Sequence, residues 1–364
     1  MGDFIIFSLT NKPTLKMKKR ITLLLVLCFS ALQAQELESL LLAGDDASKL
    51  TENYMNPLMK GLLYSINGGW YTTAKTHKKF GFDVTISASA SFVPTSSQSF
   101  TFNPADYEFL LTANGETSIP TVMSEDGTQT TMDVRIPIDG TNTFKVGSFE
   151  MPGGIAEDFP INAVPAPMIQ VGVGLPSRTD IKLRYVPKLS FDDDVEAGLF
   201  GIGLQHDITQ YLGPIDKLPL NVSVLAAYTR LNATYAINDD SFSDNVTIRN
   251  GETDFTMSAW TIQALGSLDF KIITLYGGFG YNQGKSEINI KGDYNLTYDV
   301  QDSSGNVVST INETISNPVN LDFEANGVRT TLGARFNLGP VKIFGDYTFQ
   351  KFNTLSAGLA VSIR

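Results

Sequence analysis

The chain has 364 residues, of which 42% are hydrophobic, 10% aromatic and only 18% charged, with 31 glycines and a formal net charge of −11. This composition excludes an intrinsically disordered protein, which needs low hydrophobicity and high charge, and the acidic balance argues against nucleic-acid binding. No stretch of about 18 apolar residues follows the N-terminal region, so a bundle of transmembrane helices is excluded too.

The first predicted element is a secretory signal peptide. The basic segment 17–20 precedes an apolar run over 21–29, and small residues surround Ala34, after which we expect cleavage. Met17 is the expected true start, so residues 1–34 form the leader. The mature chain then has 22 Lys/Arg and 37 Asp/Glu, a net charge of −15. It has no cysteine because Cys28 lies in the leader, which excludes disulfides.

Residues 35–79 are predicted to be a helical domain that precedes the strands. Helical spacing covers 36–42 and 47–54, with Asp45 or Asp46 as the N-cap.

A second helix is expected to begin in a first turn that contains Pro57 and to end at Asn67-Gly68-Gly69. These helices would plug a barrel lumen, cap its periplasmic mouth or pack on a partner. The residues expected to carry a plug are Asn56, Pro57, Met59 and Leu62.

Residues 80–364 are predicted to be a β-barrel. Over 80–93, apolar residues alternate with Asp83 and small hydroxylated residues, and the pattern recurs at 219–230, 258–270 and 354–364. Segments of about ten residues with this alternation are typical of transmembrane β-barrels. A soluble β-sandwich is the alternative.

Nine strands are predicted after residue 166: 166–175, 180–190, 197–210, 219–236, 255–270, 272–290, 326–338, 341–350 and 354–364. The connections on one side are short, whereas 237–254 and 291–325 are long polar excursions on the other. Outer-membrane barrels combine short periplasmic turns with longer external loops in this way.

The strand number is predicted from the need for an even count in such barrels. Region 94–165 would add none, two or four strands. We favour two, which gives an all-β fold, an antiparallel transmembrane β-barrel of about 12 strands with 10–14 possible, and a short N-terminal helical segment.

Patterns for catalysis or metal binding are missing from the sequence. His77 and His206 lack metal-ligand spacing. Gly277–Gly280 lacks the remainder of a phosphate-binding loop, and Asp192–Asp194 with Glu196 is more typical of a solvated turn than of a Ca²⁺ site. We predict no enzymatic activity, no metal and no cofactor.

Charged residues on the predicted inner face are the main candidates for a site. An Arg or Lys that faces lipid at mid-membrane costs about 2–4 kcal/mol, so both the alternation pattern and this energy favour an inward direction for these side chains. They form either a salt-bridge network that fills the lumen or a site for a permeating or anionic group. Arg335 and Asp346 are expected to pair. The candidates are Asp83, Lys182, Arg184, Arg329, Arg335 and Asp346.

The signal peptide, the helical segment with Asn56-Pro57 and a barrel that begins at Phe80 together resemble long-chain fatty-acid transporter-type outer-membrane proteins. Segments 179–187 (TDIKLRYVP) and 344–350 (FGDYTFQ) are similar to an uncharacterised family of such barrels in diderm bacteria. The resemblance implies that 35–79 is a hatch that gates hydrophobic ligands. This chain departs from it in being short for 14 strands and in ending with Ile363-Arg364 instead of an aromatic residue.

The predicted function is that of an outer-membrane barrel of a diderm bacterium, surrounded by lipid, that binds or passes a small hydrophobic molecule behind an N-terminal gating segment. The alternative is a structural or scaffolding barrel with a filled lumen and external loops that bind partner proteins of unknown identity. Nucleic acid is not an expected partner.

Overall fold

The computed structural model describes residues 41, 43–124, 129–137, 143–156, 162–191, 195–213, 218–237, 241–243, 246–301 and 307–363. The predicted leader and residues 192–194 lie outside the described residues. In the described part the chain forms one α-helix, α1 (Asp45–Ile66), and seventeen strands. The strands are β1 (Phe82–Phe92), β2 (Ser99–Thr101), β3 (Leu110–Thr112), β4 (Ser118–Pro120), β5 (Thr131–Pro137), β6 (Thr143–Glu150), β7 (Ala163–Leu175), β8 (Thr179–Phe191), β9 (Val195–Asp207), β10 (Leu220–Ile237), β11 (Ser241–Ser243), β12 (Val246–Asp269), β13 (Ile273–Gln301), β14 (Val307–Ser316), β15 (Val319–Leu338), β16 (Val341–Phe349) and β17 (Thr354–Ile363).

Ten of these strands close into an antiparallel ring. Its order is β1, β7, β8, β9, β10, β12, β13, β15, β16 and β17, and β17 pairs back with β1. The predicted fold class, an antiparallel transmembrane β-barrel with a short N-terminal helical segment, is confirmed. All nine strands expected after residue 166 are ring strands.

The favoured count of 12 strands is wrong, because region 94–165 adds no strand to the ring. Its alternating segments pair with one another instead, as β2 with β4 and as a sheet in the order β3, β5, β6. The ring therefore has ten strands, the lower end of the expected range. We call the described part of residues 93–162 the cap.

The two ends of the barrel differ in their connections. At the turn end, short connections such as 176–178 and 339–340 join neighbouring strands, and β17 finishes at Ile363. At the loop end, the cap follows β1, and β12 and β13 run on well past the end of β1.

An apolar belt surrounds the ring, as a bilayer requires. Exposed side chains of the belt include Val84, Ile86, Ile169, Leu183, Ile202, Leu204, Ile262, Phe279, Leu332 and Leu359. Exposed aromatic residues mark both boundaries, with Tyr185, Phe200, Tyr228 and Trp260 towards the loop end and Phe80, Tyr211, Phe270 and Phe336 towards the turn end. Aromatic girdles of this kind flank the lipid-facing band of membrane barrels.

Beyond the belt, apolar side chains lie on the inner face of the strands and polar ones on the outer face, because water replaces lipid outside the barrel. The continuations of β12, β13 and β15 turn Phe255, Leu296 and Leu321 inward, where they pack with α1 and the cap in one apolar core. The prediction of polar loops over 237–254 and 291–325 is therefore wrong for most of their length. We call this region the outer chamber.

Helix α1 is continuous through Pro57, so the prediction of two helices is wrong. A proline in a helix removes one backbone hydrogen bond, and burial of the apolar face of α1 in the outer chamber outweighs that loss. Gly44, not Asp45 or Asp46, is the N-cap residue. The Asp46 carboxylate instead accepts the N–H groups of Phe109 (2.6 Å) and Leu110 (3.1 Å) in the cap. The predicted end of the helix, at Asn67, is confirmed.

Candidate functional site

The barrel interior is crossed by residues 67–79, which we call the luminal segment. It begins where the Ser65 hydroxyl meets Ser91 Oγ (2.8 Å) and Val164 O (2.7 Å), at the loop end of the belt. It finishes where the Phe80 N–H donates to Gly174 O (2.8 Å), at the turn end. The luminal segment has no regular secondary structure, so its buried carbonyls need donors from the wall.

Two arginines of the wall hold the junction between α1 and the luminal segment. Arg184 donates from Nη1 to Ile66 O (2.8 Å) and from Nη2 to Gly68 O (2.7 Å). Arg329 donates from Nη1 to Asn67 O (2.8 Å). These carbonyls lie at the C-terminus of a helix, where partial negative charge accumulates and favours cations.

Further along, other polar wall residues hold the luminal segment. Lys182 Nζ donates to Trp70 O (2.7 Å), and Gln205 Nε2 donates to Thr73 O (3.1 Å). The Arg184 guanidinium also lies 3.7 Å from the centroid of the Trp70 ring, a cation–π contact. The cationic groups are thus partnered by the chain itself.

The expected pair between Arg335 and Asp346 is wrong. The register of β15 and β16 places Gly333 opposite Asp346. Arg335 instead donates to Thr72 Oγ1 (3.1 Å) and lies 3.6 Å from the Asp269 carboxylate, while Asp346 accepts the Tyr276 hydroxyl (2.9 Å).

His77 joins the luminal segment to the turn end of the wall. Its Nδ1 lies 2.9 Å from Asp180 Oδ2 and its Nε2 lies 3.7 Å from Asp83 Oδ1. The backbone N–H of His77 also donates to Asp180 Oδ1 (3.0 Å). The other histidine, His206, contacts the hydroxyls of Thr179 (2.8 Å) and Tyr211 (3.2 Å) at the turn-end boundary of the belt.

The structure thus brings five of the six lumen candidates to the luminal segment: Asp83, Lys182, Arg184, Arg329 and Arg335. Asp346 bonds the wall instead. The plug candidates Asn56, Pro57, Met59 and Leu62 belong to α1 in the outer chamber, above the belt. Sequence reasoning missed the residues that occupy the ring, above all Trp70 and Tyr71, which are buried.

Inward-facing glycines are the signal that could have located this filling. A Cβ at Gly203 would lie 2.9 Å from the Trp70 ring, and one at Gly278 would lie 2.2 Å from the Tyr71 hydroxyl. Gly278 belongs to the Gly277–Gly280 run of β13. These positions are small because aromatic side chains of the luminal segment occupy the space.

The cap covers the N-terminal half of α1. Tyr107 stacks on Phe102 with ring centroids 4.5 Å apart, receives a hydrogen bond from Asn53 (3.3 Å), and has Lys49 Nζ 5.1 Å from its ring. Burial raises the pKa of the Tyr107 hydroxyl above its ordinary value, and the Asn53 hydrogen bond acts in the opposite direction. Along the barrel axis, the luminal segment occupies the interior within the belt, and α1 with the cap occupies it above the belt.

The wall itself has an interruption between β7 and β8. Their ladder holds six residue pairs, from Gln170–Arg184 to Leu175–Thr179, the fewest of any neighbouring strands in the ring. β7 continues to Ala163 on the β1 side and β8 continues to Phe191 on the β9 side. We call the unpaired stretch, 163–169 against 185–191, the seam.

Three prolines account for the seam. Continued past Gln170–Arg184, the register would set Pro167 opposite Pro187. Asn162 O accepts the Val93 N–H, so even-numbered residues of β7 bond to β1 and odd-numbered ones turn towards β8. Pro165 and Pro167 therefore face β8 without an N–H to donate, and Pro187 offers none in return.

The borders of the seam are apolar. On the outside, Ile169 and Tyr185 are 49% and 64% exposed. On the inside, the buried residues Val164 and Met168 and the half-buried Val186 belong to the core of the outer chamber, next to α1. The seam lies at the loop-end boundary of the belt.

The described residues contain no group of three or more His, Cys, Asp or Glu placed to hold a metal ion. Glu196, of the predicted acidic turn, is exposed and lies 3.9 Å from Lys188 Nζ. None of the helical residues in the described ranges forms a span long and apolar enough to cross a membrane.

The chain belongs to a family of unknown function, DUF6588, whose model matches residues 17–363. No curated protein matches it.

Solved structures similar to the chain are outer-membrane proteins. The protease OmpT of Escherichia coli is 8% identical, with 82% of this chain and all of that chain covered and a TM-score of 0.30. Ail, the attachment invasion locus protein of Yersinia pestis, is 9% identical, with 79% and 100% covered and a TM-score of 0.24. A FadL homologue of Pseudomonas aeruginosa is 10% identical, with 86% and 95% covered and a TM-score of 0.22. Likenesses this low do not bear on function, and the resemblance to fatty-acid transporters stays a prediction.

Gly203→Val tests the fit of the luminal segment. The new side chain would collide with the Trp70 ring, so we expect a loss of about 1–3 kcal/mol in the free energy of unfolding from overpacking. The midpoint of the heat-induced change in gel mobility measures this loss. Gly266→Val is the matched control, because a Cβ there has no atom within 4 Å. Equal midpoints for the two variants would contradict the fit.

Arg184→Gln tests whether the Arg184 guanidinium holds the junction between α1 and the luminal segment. It leaves the carbonyls of Ile66 and Gly68 without their donor, at about 1–3 kcal/mol for each buried group. We expect a lower unfolding midpoint and faster proteolysis within 67–79. Arg230→Gln, at an exposed position on β10, should change neither quantity. Unchanged proteolysis in Arg184→Gln would show that these hydrogen bonds of Arg184 do not hold the luminal segment.

Proposed function

We propose that this protein is an exported outer-membrane β-barrel of a diderm bacterium that binds a small hydrophobic molecule through the side of its wall, at the seam. The observation that carries the proposal is the seam itself, where the β7–β8 ladder stops at Gln170–Arg184 although both strands continue, and where the continued register would set Pro167 opposite Pro187. The axial path takes no part in this binding.

The filled interior supports a lateral route. Arg184, Arg329 and Lys182 each donate to a backbone carbonyl of the luminal segment, so binding a permeating solute there would compete with these hydrogen bonds. Moving the luminal segment would leave buried cations and carbonyls without partners, which is costly in a low-dielectric interior. A solute that enters from the side avoids that cost.

The chemistry of the seam supports an apolar ligand. Val164, Met168 and Val186 line its inner border, and the half-buried Leu62 of α1 packs on the same core. Side chains of this kind offer dispersion and hydrophobic contact and no hydrogen bonds. We expect the ligand to contribute an alkyl chain or ring system.

The apolar belt supports a location in a membrane, because water-exposed patches of that size are not tolerated by soluble monomers. With the predicted leader cleaved after Ala34, the turn end would face the periplasm and the loop end the outside. Recovery in the outer-membrane fraction, with an N-terminus at Gln35, tests this part of the proposal.

Pro167→Val with Pro187→Val tests the seam. The double variant restores two N–H donors at facing positions, so the β7–β8 ladder should lengthen and the seam should narrow. We expect slower amide hydrogen exchange over 185–191 and at least several-fold weaker binding of the fluorescent probe N-phenylnaphthylamine by the protein in lipid vesicles.

Pro340→Ala, in a turn-end connection, is the control and should bind the probe as the unchanged protein does. If the double variant gains protection from exchange and still binds the probe equally well, the seam is not the entry route.

That outcome would favour the second candidate, a structural barrel that presents its outer part to partner proteins. The cap and the outer chamber form a folded external unit, and residues 93–162 hold ten Asp/Glu against two Lys/Arg. Such a surface attracts cationic partners.

A further inference from the structure

We infer that the turn Lys78-Lys79-Phe80-Gly81 is a docking site for the phosphate of an anionic phospholipid in the leaflet at the turn end of the barrel. The inference rests on the membrane location within the proposed function, but not on the seam or its ligand.

The turn is held rigidly between the luminal segment and β1. Gly81 N–H donates to Lys78 O and Phe80 N–H donates to Gly174 O, both at 2.8 Å. Gly174 has no room for a side chain, since a Cβ there would lie 2.3 Å from Lys78 O. These contacts fix where the side chains of the turn project.

Phe80 adopts a left-handed backbone conformation, with φ of 62°. Bulky residues avoid this region, where glycine is favoured. The chain nevertheless places an aromatic residue there, and this residue is 66% exposed at the boundary of the apolar belt. A strained backbone that presents an apolar ring to the surroundings is the kind of feature that a binding role explains.

The turn carries two cations, one of which lies beside that ring. Lys78 and Lys79 are exposed, and Lys79 Nζ lies 5.2 Å from the centroid of the Phe80 ring. An aromatic ring at the acyl–headgroup boundary, with one ammonium group beside it and a second in the same turn, suits a phospholipid whose phosphodiester lies above its acyl chains.

Among the described residues, the charge around the turn has one sign at the surface. The aspartates of the described residues at this end, Asp83, Asp180, Asp207 and Asp269, are turned inward and mostly buried. The exposed Lys75 and Lys271 lie at the same end. The surface field there therefore attracts anions, in contrast to the acidic cap at the other end.

A lipid fits these observations better than an acidic protein, because the turn continues directly into the lipid-facing residues Phe82 and Val84 of β1. The ammonium groups would thus lie at the depth of the headgroups of the surrounding leaflet.

The test compares the full mature protein with Lys78→Gln/Lys79→Gln in vesicles of phosphatidylcholine alone and of phosphatidylcholine mixed with phosphatidylglycerol. We expect phosphatidylglycerol to raise the unfolding midpoint of the unchanged protein and to be retained by it in native mass spectrometry. The double Gln variant should lose both effects, and Lys78→Arg/Lys79→Arg should keep them.

Lys285→Gln/Lys291→Gln removes two exposed lysines at the loop end and should keep both effects, since exposed ion pairs contribute little. The inference is overturned if the Lys78/Lys79 double Gln variant keeps both effects, or if the loop-end control loses them equally. It is also overturned if the turn variant alters only the capture of an acidic periplasmic protein. Probe binding at the seam is measured in the same vesicles, and its loss or survival reports on the proposed function independently.

Discussion

Backbone carbonyls inside a lipid-embedded barrel must receive hydrogen bonds from the protein, and the luminal segment cannot supply its own. Helix α1 ends at Ile66, with Asn67 as its C-cap, before the chain enters the belt, so the carbonyls that follow face the wall. Lys182 and Arg184 of β8 and Arg329 of β15 meet this requirement from two strands. Inward-facing charge, which would be costly without partners, is stabilised here because the cationic side chains of the wall donate to the carbonyls of the segment.

The same requirement divides the molecule into two levels with opposite interiors. Within the belt the wall turns polar groups inward to bind the luminal segment, and lipid covers the outside. In the outer chamber water surrounds the wall, so Phe255, Leu296 and Leu321 turn inward and enclose α1. The seam lies where the two levels meet. There, prolines interrupt the ladder beside an apolar core, so a hydrophobic molecule could reach that core without disturbing the polar network.

Alternation along single strands was enough to predict the barrel, the lipid-facing side of β1 and the inward direction of Arg184. Alternation could not predict the features that depend on pairing between strands distant in sequence. Segments 131–137 and 143–150 alternate like ring strands but pair with each other. Arg335 lies near Asp269 because β13 pairs Thr274 with both residues, on β12 and on β15. Pro167 and Pro187 are visible in the sequence, but only the β7–β8 register shows that continued pairing would set them opposite one another. Pro57 was misjudged because packing in the outer chamber outweighs local helix propensity.

The central claim is that the ligand binds through the wall while the luminal segment stays in place. A disulfide between the end of α1 and β1 tests this claim most directly. The hydroxyls of Ser65 and Ser91 lie 2.8 Å apart, so Ser65→Cys/Ser91→Cys should form a bond that ties the two elements together. Binding of N-phenylnaphthylamine and ion conductance in planar bilayers are measured with the bond oxidised and reduced. The account predicts equal probe binding in both states and no conductance in either. Conductance and probe binding that arise only on reduction would contradict it, because they would place the route along the barrel axis.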